Sequence, residues 1–301
     1  MNFKIKCKIQ KIVSQIPFSK KLGYLFSKYI TKNLNPSNQR FLHKVNEGFN
    51  HYNNFISFNK LEKNTFKYFE FGAGWTLTIP ILISRLGFDV SCIDIRKLII
   101  PSLIFDSINK FNYNNDKIGK LERPIPQLNK SETDILSILN NQLNIHYNAP
   151  QDARETGFPS EHFDFVSSTL TLCFIPQNDL IKIINECFRI LKKGGVMSVT
   201  IDYQDNWSYV DSNITGYNFL QFSETEWKKY NPSIHYQNRL RHKDYLEIFE
   251  NAGFTLVKEK HRSPDESDLN KLNNLIIDSS FKNYSMNELG IKDGEIVVIK
   301  N

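Results

Sequence analysis

One stretch of thirty residues, from Phe66 to Ile95, constrains the fold more than any other part of the chain. It reads FKYFEFGAGWTLTIPILISRLGFDVSCIDI. An aromatic, strand-like run leads into Gly72-Ala73-Gly74, an apolar helical stretch follows, and a second strand-like run ends at Asp94. Strand, glycine turn, helix, strand and terminal acid form one half of a nucleotide-binding α/β unit. The sequence therefore predicts a site for an adenosine-like ligand.

The composition of the glycine turn indicates how such a ligand is held. Glycines allow backbone amides to approach a ligand where a Cβ atom would collide, and the amides that open the next helix favour an anionic group. Asp94, at the tip of the second strand, is placed to accept hydrogen bonds from ribose hydroxyls. The dinucleotide fingerprint requires a third glycine three residues after the second, and that position is Leu77. The nicotinamide interpretation is therefore weakened.

An acid two residues before the first glycine, Glu70, stands in an otherwise apolar strand. An acid there suits the amino end of a zwitterion whose carboxylate faces the helix N-terminus. This E-x-G-x-G pattern resembles motif I of class I S-adenosylmethionine-dependent methyltransferases, with Thr76 in place of the family's usual third glycine. The resemblance implies that S-adenosyl-L-methionine is the cofactor and that Glu70, Gly72, Ala73, Gly74 and Asp94 bind it.

Two further segments carry the same resemblance. Residues 152–165, DARETGFPSEHFDF, match the family segment from the end of the third strand into the fourth, and residues 186–195, ECFRILKKGG, resemble its E-x-x-R-v-L-k-p-G-G signature. The resemblance covers residues 66–202 well. It implies that Asp152 and Ala153 recognise the adenine edge and that Ser168 also lines the cofactor site.

Alternation of strand-like and helical patterns predicts an α/β fold with a mostly parallel sheet flanked by helices. Predicted strands cover residues 66–71, 89–94, 143–148, 163–168, 196–202, 254–260 and 294–299, and predicted helices cover 76–86, 97–110, 132–141, 178–192, 241–252 and 267–277. The resemblance implies a Rossmann-like, seven-stranded sheet in the order 3-2-1-4-5-7-6. Residues 63–301 would form this methyltransferase domain, and residues 111–131 a surface loop.

Residues 1–62 are predicted to form a basic, helical N-terminal extension with apolar positions at Ile16, Leu22, Leu25, Phe26 and Ile30. Residues 1–46 hold ten basic side chains and no acidic one. They would contact an anionic membrane or an acidic partner, or pack as an extra helical layer with lysines in solvent, which we favour. The remaining residues carry 28 basic and 32 acidic groups, so no nucleic-acid partner is expected.

Targeting signals and cysteine usage predict a cytoplasmic protein, with membrane association through the basic segment as an addition. The N-terminus lacks a signal-peptide pattern, and no apolar run is long enough to span a bilayer. The four cysteines, Cys7, Cys92, Cys173 and Cys187, form no C-x-x-C pair. They are predicted to be buried, reduced thiols and not a disulfide or zinc framework, and no metal site is expected.

Residues 203–240, here called the aromatic insertion, follow the fifth strand, where ligands of open α/β sheets bind. They are predicted to form a lid that contacts the substrate through Trp207, Tyr236, Arg239 and Arg241, or else a small satellite core. Arg239 and Arg241 would clamp an acceptor carboxylate or phosphate, or pair with acids of the insertion. His235 and Asp202 are the candidate general bases, with a hydrogen-bonded structural role as the alternative for His235.

The absence of several motifs narrows the class of acceptor. The segment after strand four, SSTLTLCFIP, contains no D/N-P-P-Y/F motif, and no Pro-Cys nucleophile, paired-glutamate loop or acidic metal cluster is present. A small-molecule acceptor remains, and the phrase from Tyr217 to Leu240, which looks similar to methyltransferases encoded with surface-glycan genes, favours a sugar or nucleotide-sugar hydroxyl. A nicotinamide-dependent oxidoreductase and an inactive cofactor-binding scaffold subunit are the alternatives. The sequence leaves the oligomeric state open.

Overall fold

A seven-stranded sheet forms the centre of the computed structural model, which describes residues 2–14, 36–62, 65–119, 121–126 and 134–301. Its strands are β1 (Lys67–Phe71), β2 (Asp89–Ile93), β3 (Ile145–Asn148), β4 (Phe163–Thr169), β5 (Leu191–Asp202), β6 (Thr255–His261) and β7 (Asp293–Ile299). Their order is β3-β2-β1-β4-β5-β7-β6. Strands β1 to β5 are parallel, and β7 runs antiparallel to both β5 and β6. The predicted fold class and strand order are confirmed.

Helices flank the sheet and close its crossover connections. In chain order they are α1 (Phe3–Ser14), α2 (Asn38–Phe58), α3 (Thr78–Arg85), α4 (Pro101–Tyr113), α5 (Asn115–Ile118), α6 (Ile135–Leu143), α7 (Gln177–Ile190), α8 (Glu224–Tyr230), α9 (His242–Asn251), α10 (Glu266–Asn273) and α11 (Met286–Gly290). The predicted loop at 111–131 is partly helical, because α4 extends to Tyr113 and α5 follows. No helix within the described ranges is long and apolar enough to cross a membrane.

Alternating side chains of the sheet supply two apolar cores, one on each face. On β1, Tyr68 joins the core beneath α2 and α3, while Phe69 and Phe71 join the core beneath α7 and α9. Burial on both faces explains why the parallel strands are nearly continuous in hydrophobicity. It also explains why an isolated acid in β1, such as Glu70, is conspicuous in the sequence.

The N-terminal residues that the structure describes pack onto the rest of the chain. Phe41, Val45 and Phe55 of α2 belong to the same core as α3 and the sheet. Helix α1 packs on the aromatic insertion, where Phe3 contacts the ring of Tyr230 at 5.5 Å between centroids. Both described helices thus form the extra packed layer that the sequence favours. The predicted helical stretch through Ile16, Leu22, Leu25, Phe26 and Ile30 lies outside the described residues.

The aromatic insertion encloses a third apolar cluster of its own. It combines short 3₁₀ turns with α8, and the rings of Trp207, Tyr217, Phe219 and Trp227 are all at most 3% exposed. Residues of α1, α10 and α11 complete this cluster. Most of the aromatic residues that the sequence assigns to a lid therefore stabilise the insertion itself.

Candidate cofactor and acceptor site

The glycine loop between β1 and α3 adopts a backbone that demands glycine at two positions. Gly72 and Gly74 both have φ of +73°, in the left-handed region that side chains avoid. A Cβ atom on Gly72 would lie 2.5 Å from a methyl carbon of Thr171, whereas one on Gly74 would have no atom within 4 Å. Gly72 is therefore fixed by contact with the β4 side of the site, and Gly74 borders open space. Ala73, between them, is half-buried.

Two leucines beside this loop also have left-handed backbone conformations. Leu77, which precedes α3, has φ of 47°, and Leu170, which follows β4, has φ of 53°. Such a conformation costs a residue with a Cβ atom on the order of 1–2 kcal/mol. Strained backbone of this kind persists where the surrounding structure requires it and is concentrated at functional sites. Both leucines lie at the carboxyl edge of the sheet, next to the glycine loop.

Asp94 reaches the glycine loop from the end of β2. Its carboxylate accepts hydrogen bonds from the backbone amides of Gly74 at 3.4 Å and Arg96 at 3.3 Å. The residue is 7% exposed, and burial raises the pKa of its carboxyl group above the ordinary value. The structure thus brings Gly72, Ala73, Gly74 and Asp94 together at one edge, as the sequence predicts.

Glu70 lies on β1 just inside that edge and is 3% exposed. The Tyr68 hydroxyl donates to its carboxylate at 2.5 Å and also lies 2.7 Å from the Ser167 hydroxyl. Burial raises the pKa of Glu70 to about 7, and the hydrogen bond from Tyr68 opposes that effect. The carboxyl group therefore titrates close to neutral pH, where an ammonium group brought beside it would favour its ionised form.

The loop after β3 is held against the same site. The amide of Gln151 donates to the Asp94 carbonyl at 2.9 Å, which places Asp152 and Ala153 one and two residues further along. Asp152 is half-exposed and pairs with Arg154, which also pairs with Asp179 at 2.7 Å. The hydrogen bonds that the Arg154 guanidinium and backbone amide donate to Asp152 lower the pKa of its carboxyl group. The Asp152 carboxylate thus lies at the surface with a fixed partner.

Ser168 occupies a different environment from the other predicted cofactor residues. It is fully buried in β4, and its hydroxyl donates to the Phe71 carbonyl at 3.2 Å. This bond links β4 to the start of the glycine loop. Ser168 therefore positions the loop from behind.

Of the two candidate bases, Asp202 lies where β5 enters the aromatic insertion, and His235 lies in a 3₁₀ turn near the end of the insertion. The Asp202 carboxylate accepts hydrogen bonds from the Tyr209 hydroxyl at 2.7 Å and the Gln204 amide at 3.0 Å, and burial raises its pKa. The His235 ring lies between Trp207 and Phe174, with centroids 5.4 and 6.1 Å away. Burial lowers the pKa of His235, so its imidazole is neutral and able to accept a proton.

Exposed side chains with apolar surface lie beside each of these residues, because Phe174 contacts the His235 ring and Tyr209 bonds to Asp202 through its hydroxyl. Leu170 and Phe174 are each 41% exposed, and Tyr209 is 61% exposed. The Leu170 amide donates to the Thr200 carbonyl at 2.9 Å, which joins the segment after β4 to β5 near Asp202. The carboxyl ends of β1, β2, β4 and β5 thus share one edge. This edge carries the glycine loop and the exposed side chains of Leu170 and Phe174, here called the apolar opening.

The four predicted substrate residues separate into two environments. Trp207 is buried, and its indole nitrogen donates to the Tyr230 carbonyl at 3.0 Å. Arg241 is fully buried, and its guanidinium donates to the carbonyls of Tyr203, Leu289 and Ile291 at 2.6, 2.9 and 2.6 Å. These two side chains support the fold and do not face an acceptor, because their polar atoms meet backbone in the interior.

Arg239 and Tyr236 lie at a cavity on the outer side of the aromatic insertion. The Arg239 guanidinium pairs with Glu224 at 2.5 Å and donates to the Phe219 carbonyl at 3.0 Å. This is the ion pair within the insertion that the sequence offers as an alternative to an acceptor clamp. Tyr236 is half-buried at the same cavity.

Helix α2 contributes a buried polar network that was not predicted from the sequence. The two ring nitrogens of His51 lie 2.8 Å from the Ser198 hydroxyl and 3.1 Å from the Thr169 hydroxyl. Asn54 donates to Ser198 at 3.0 Å and to Glu295 at 2.5 Å. His51 and Asn54, three residues apart in a predicted helix, are the signal that would have indicated an inward polar stripe.

His51 and Glu70 predict opposite pH dependences of stability. Burial lowers the pKa of His51 to about 4, from an ordinary 6.5, so its contribution is complete above pH 6.5 and is lost as pH falls toward 4. Glu70, raised from 4.5 to about 7, contributes most below pH 4.5 and loses that contribution as pH rises toward 7. Each change amounts to about 3 kcal/mol, and the two largely cancel in the native protein.

We therefore expect urea unfolding between pH 4.5 and 6.5 to separate the two groups. Compared with the native protein, the stability of Glu70→Gln should shift upward with rising pH, because the Glu70 dependence is removed. Compared with the native protein, the stability of His51→Gln should shift downward with rising pH, because the His51 dependence is removed. Equal pH profiles for both variants and the native protein would contradict these protonation states.

Metal ligands are not assembled at this edge. In the portion of the chain covered by the structure, no three His, Cys, Asp or Glu side chains come close enough to hold a metal ion. The four cysteines are buried and free. The chemistry available at the edge is therefore that of carboxylates, hydroxyls, imidazole and backbone amides.

Known proteins resemble both the sequence and the fold. Residues 134–199 match the family model of the methyltransferase domain, and no curated protein sequence matches the chain. Solved structures similar to it include Haemonchus contortus phosphoethanolamine N-methyltransferase 2 in complex with S-adenosyl-L-methionine, at 15% identity over 85% of this chain and 52% of that chain, with a TM-score of 0.46. The [4+2]-cyclase SpnF is 12% identical over 85% of this chain and 81% of that chain, with a TM-score of 0.48. The YcgJ protein from Bacillus subtilis is 14% identical over 83% and 99%, with a TM-score of 0.43.

Proposed function

We propose that this chain, which contains a class I S-adenosylmethionine-dependent methyltransferase domain, transfers the cofactor's methyl group to a hydroxyl of a small sugar or nucleotide-sugar. The observation that carries the proposal is the meeting of Asp94 with the Gly74 amide at an open edge of the sheet. The strained leucines and the apolar opening lie at the same edge of the sheet. In this proposal both the cofactor and the acceptor bind at that edge.

Each of the proposed cofactor residues recognises a different chemical group of the cofactor. In the proposal, Asp94 accepts from the ribose hydroxyls, and the amides beside Gly72 and Gly74 face the carboxylate end. Glu70 receives the ammonium end, whose positive charge would stabilise its ionised form. Asp152 and Ala153 contact the adenine edge. Buried, pre-positioned groups of this kind bind without a large ordering cost.

Methyl transfer makes modest demands on the protein. The bound sulfonium supplies an activated methyl group, so the chain must align the acceptor oxygen and exclude water. Leu170 and Phe174 provide an apolar wall at the opening. The hydroxyl proton passes to Asp202, whose raised pKa suits a general base, or to neutral His235. Asp202 ends β5, and the His235 ring packs against Trp207, near the start of the aromatic insertion.

Two features bear on where the protein acts. Four buried, free cysteines support the proposed cytoplasmic location. On α1, Ile5 and Ile9 are 56% and 43% exposed beside lysines, which supports contact of residues 1–46 with an anionic membrane or an acidic partner. That contact stays a prediction.

Calorimetric titration with S-adenosyl-L-methionine and S-adenosylhomocysteine tests the proposed cofactor site. We expect Asp94→Ala and Glu70→Ala each to weaken binding by about 1.5–3 kcal/mol, which is roughly 10- to 150-fold, because each removes a charged hydrogen-bonding partner. Asp116→Ala, an exposed acid on α5, serves as the control and should bind normally. Native affinity in both site variants would contradict the assignment.

A folded native protein that binds neither compound would favour the scaffold alternative. A change in nicotinamide fluorescence on titration would favour the oxidoreductase alternative. Acceptor screening with radiolabelled cofactor, starting from sugars and nucleotide-sugars, then tests the reaction itself.

A further inference from the structure

A cavity of about 330 Å³ opens between the aromatic insertion and the segment after α10. Aromatic side chains form much of its wall: Trp227, Tyr236, Phe281 and Tyr284. Its volume lies at the lower end of the range found for small-molecule sites, about 300–1,000 Å³. The cavity is thus large enough for one ring and its substituents.

The charged groups at this cavity already have partners within the protein. Arg239 pairs with Glu224 at 2.5 Å. Asp244 accepts hydrogen bonds from the Tyr284 hydroxyl at 2.8 Å and from the Arg241 amide at 2.6 Å. Lys228 is also engaged in a contact of its own. An incoming phosphate or carboxylate would therefore have to break an existing contact to gain a cation.

Neutral hydrogen-bonding groups, in contrast, remain available. Gln177 and Tyr236 line the cavity, and their side chains make no hydrogen bond to any residue within the described ranges. Each can donate and accept. Aromatic walls with free amide and hydroxyl groups suit a ligand that has both apolar C–H faces and several hydroxyls.

The cavity adjoins the segment that borders the glycine loop. Gln177 begins α7 and follows Thr171 by six residues, so their Cα atoms are at most about 20 Å apart. The Asn238 side chain fixes the shared wall by donating to the carbonyls of Leu172 and Ile175, both at 2.9 Å. One rigid segment thus touches Gly72 at one end and the cavity at the other.

We propose that this cavity binds an uncharged, sugar-like ring of the methyl acceptor, a specificity subsite separate from the group that is methylated. The inference rests on the proposed function for its role in catalysis, but the binding itself is measurable without turnover. The ring stacks on the aromatic wall, and its hydroxyls bond to Gln177 and Tyr236. A charged portion of the acceptor lies outside this cavity.

Saturation-transfer NMR with the full chain tests this inference, with S-adenosylhomocysteine present. The probes are methyl glycosides of neutral hexoses and 6-deoxyhexoses, compared with the corresponding hexose 6-phosphates. We expect at least one neutral glycoside to bind more tightly than any phosphate. Tyr236→Phe and Gln177→Ala should each weaken that binding three- to tenfold, since each loses one hydrogen bond. Tyr113→Phe, on the 81%-exposed tyrosine of α4, is the matched control and should bind normally.

Three outcomes would overturn the inference: no neutral glycoside binds, a 6-phosphate binds at least tenfold more tightly, or both cavity variants bind as the native protein does. The calorimetric titration of cofactor separates this failure from that of the proposed function. Native cofactor affinity with no glycoside binding defeats the subsite alone. Loss of cofactor binding in the native protein defeats the proposed function.

Discussion

Gly72→Ala is expected to abolish cofactor binding and to lower the stability of the fold strongly, whereas Gly74→Ala is expected to weaken binding at least 100-fold with a loss of only about 1–2 kcal/mol in stability. At Gly72 the new methyl group would lie 2.5 and 2.6 Å from Thr171 side-chain atoms and 3.0 Å from its Cβ. Thr171 is short and β-branched, so it cannot move aside without moving the backbone. Left-handed strain of about 1–2 kcal/mol is added, and we expect a total loss above about 3 kcal/mol.

Gly74 supplies the matched control because its φ is the same. A methyl group there meets no protein atom within 4 Å, so only the strain of about 1–2 kcal/mol should appear in stability. The methyl group would occupy the space that the proposal gives to the cofactor, so binding should fall at least 100-fold. Thermal unfolding and calorimetry measure the two effects. Native affinity in folded Gly74→Ala would place the cofactor elsewhere.

Arg241→Met is expected to be among the most destabilising substitutions of any charged residue in the aromatic insertion. Its guanidinium satisfies three buried carbonyls, from Tyr203, Leu289 and Ile291. Each carbonyl left without a donor costs about 1–3 kcal/mol, which gives an expected loss of about 3–5 kcal/mol in the free energy of unfolding. The midpoint of urea unfolding measures it.

The control for this prediction is Arg262→Met. Arg262 is 58% exposed and pairs with Asp293 at 2.6 Å, and an exposed ion pair contributes about 0–1 kcal/mol. We expect almost no change in its unfolding midpoint. If Arg241→Met were as stable as the native protein and had lost only acceptor affinity, then Arg241 would be the substrate residue that the sequence suggests.

The strand-helix alternation and the glycine loop could be predicted because their causes are local, whereas the strand order was implied by the family resemblance. Gly72 and Gly74 are required by backbone conformation, and the strand-helix alternation is written in hydrophobic periodicity. The pair Glu186 and Arg189, three residues apart in a predicted helix, is a further local signal. In the structure Arg189 donates to Glu186 and to the Phe158 carbonyl, each at 2.7 Å, which holds the loop before β4. These short-range requirements survive whatever the rest of the chain does.

The acceptor side could not be predicted in the same way, since the aromatic insertion has no repeating pattern. Its irregular backbone directs neighbouring side chains to different surroundings, so Arg239 reaches a cavity while Arg241, two residues later, enters the interior. Trp207 and Arg241 are of residue types that are common in binding sites. Both side chains are nevertheless buried and donate hydrogen bonds to backbone carbonyls of the protein. Only the packed structure distinguishes these outcomes, because burial depends on contacts distant in sequence.

Sequence alone thus determined the α/β class and the edge that carries Gly72, Gly74 and Asp94, because glycine conformation and strand periodicity act within a few residues. The family resemblance implied the strand order. Tertiary structure alone decided that His51 reaches Thr169, 118 residues away, and that Arg241 supports the fold. Those roles arise where elements meet after folding. The free energy of a buried polar group depends on the partners that it finds there.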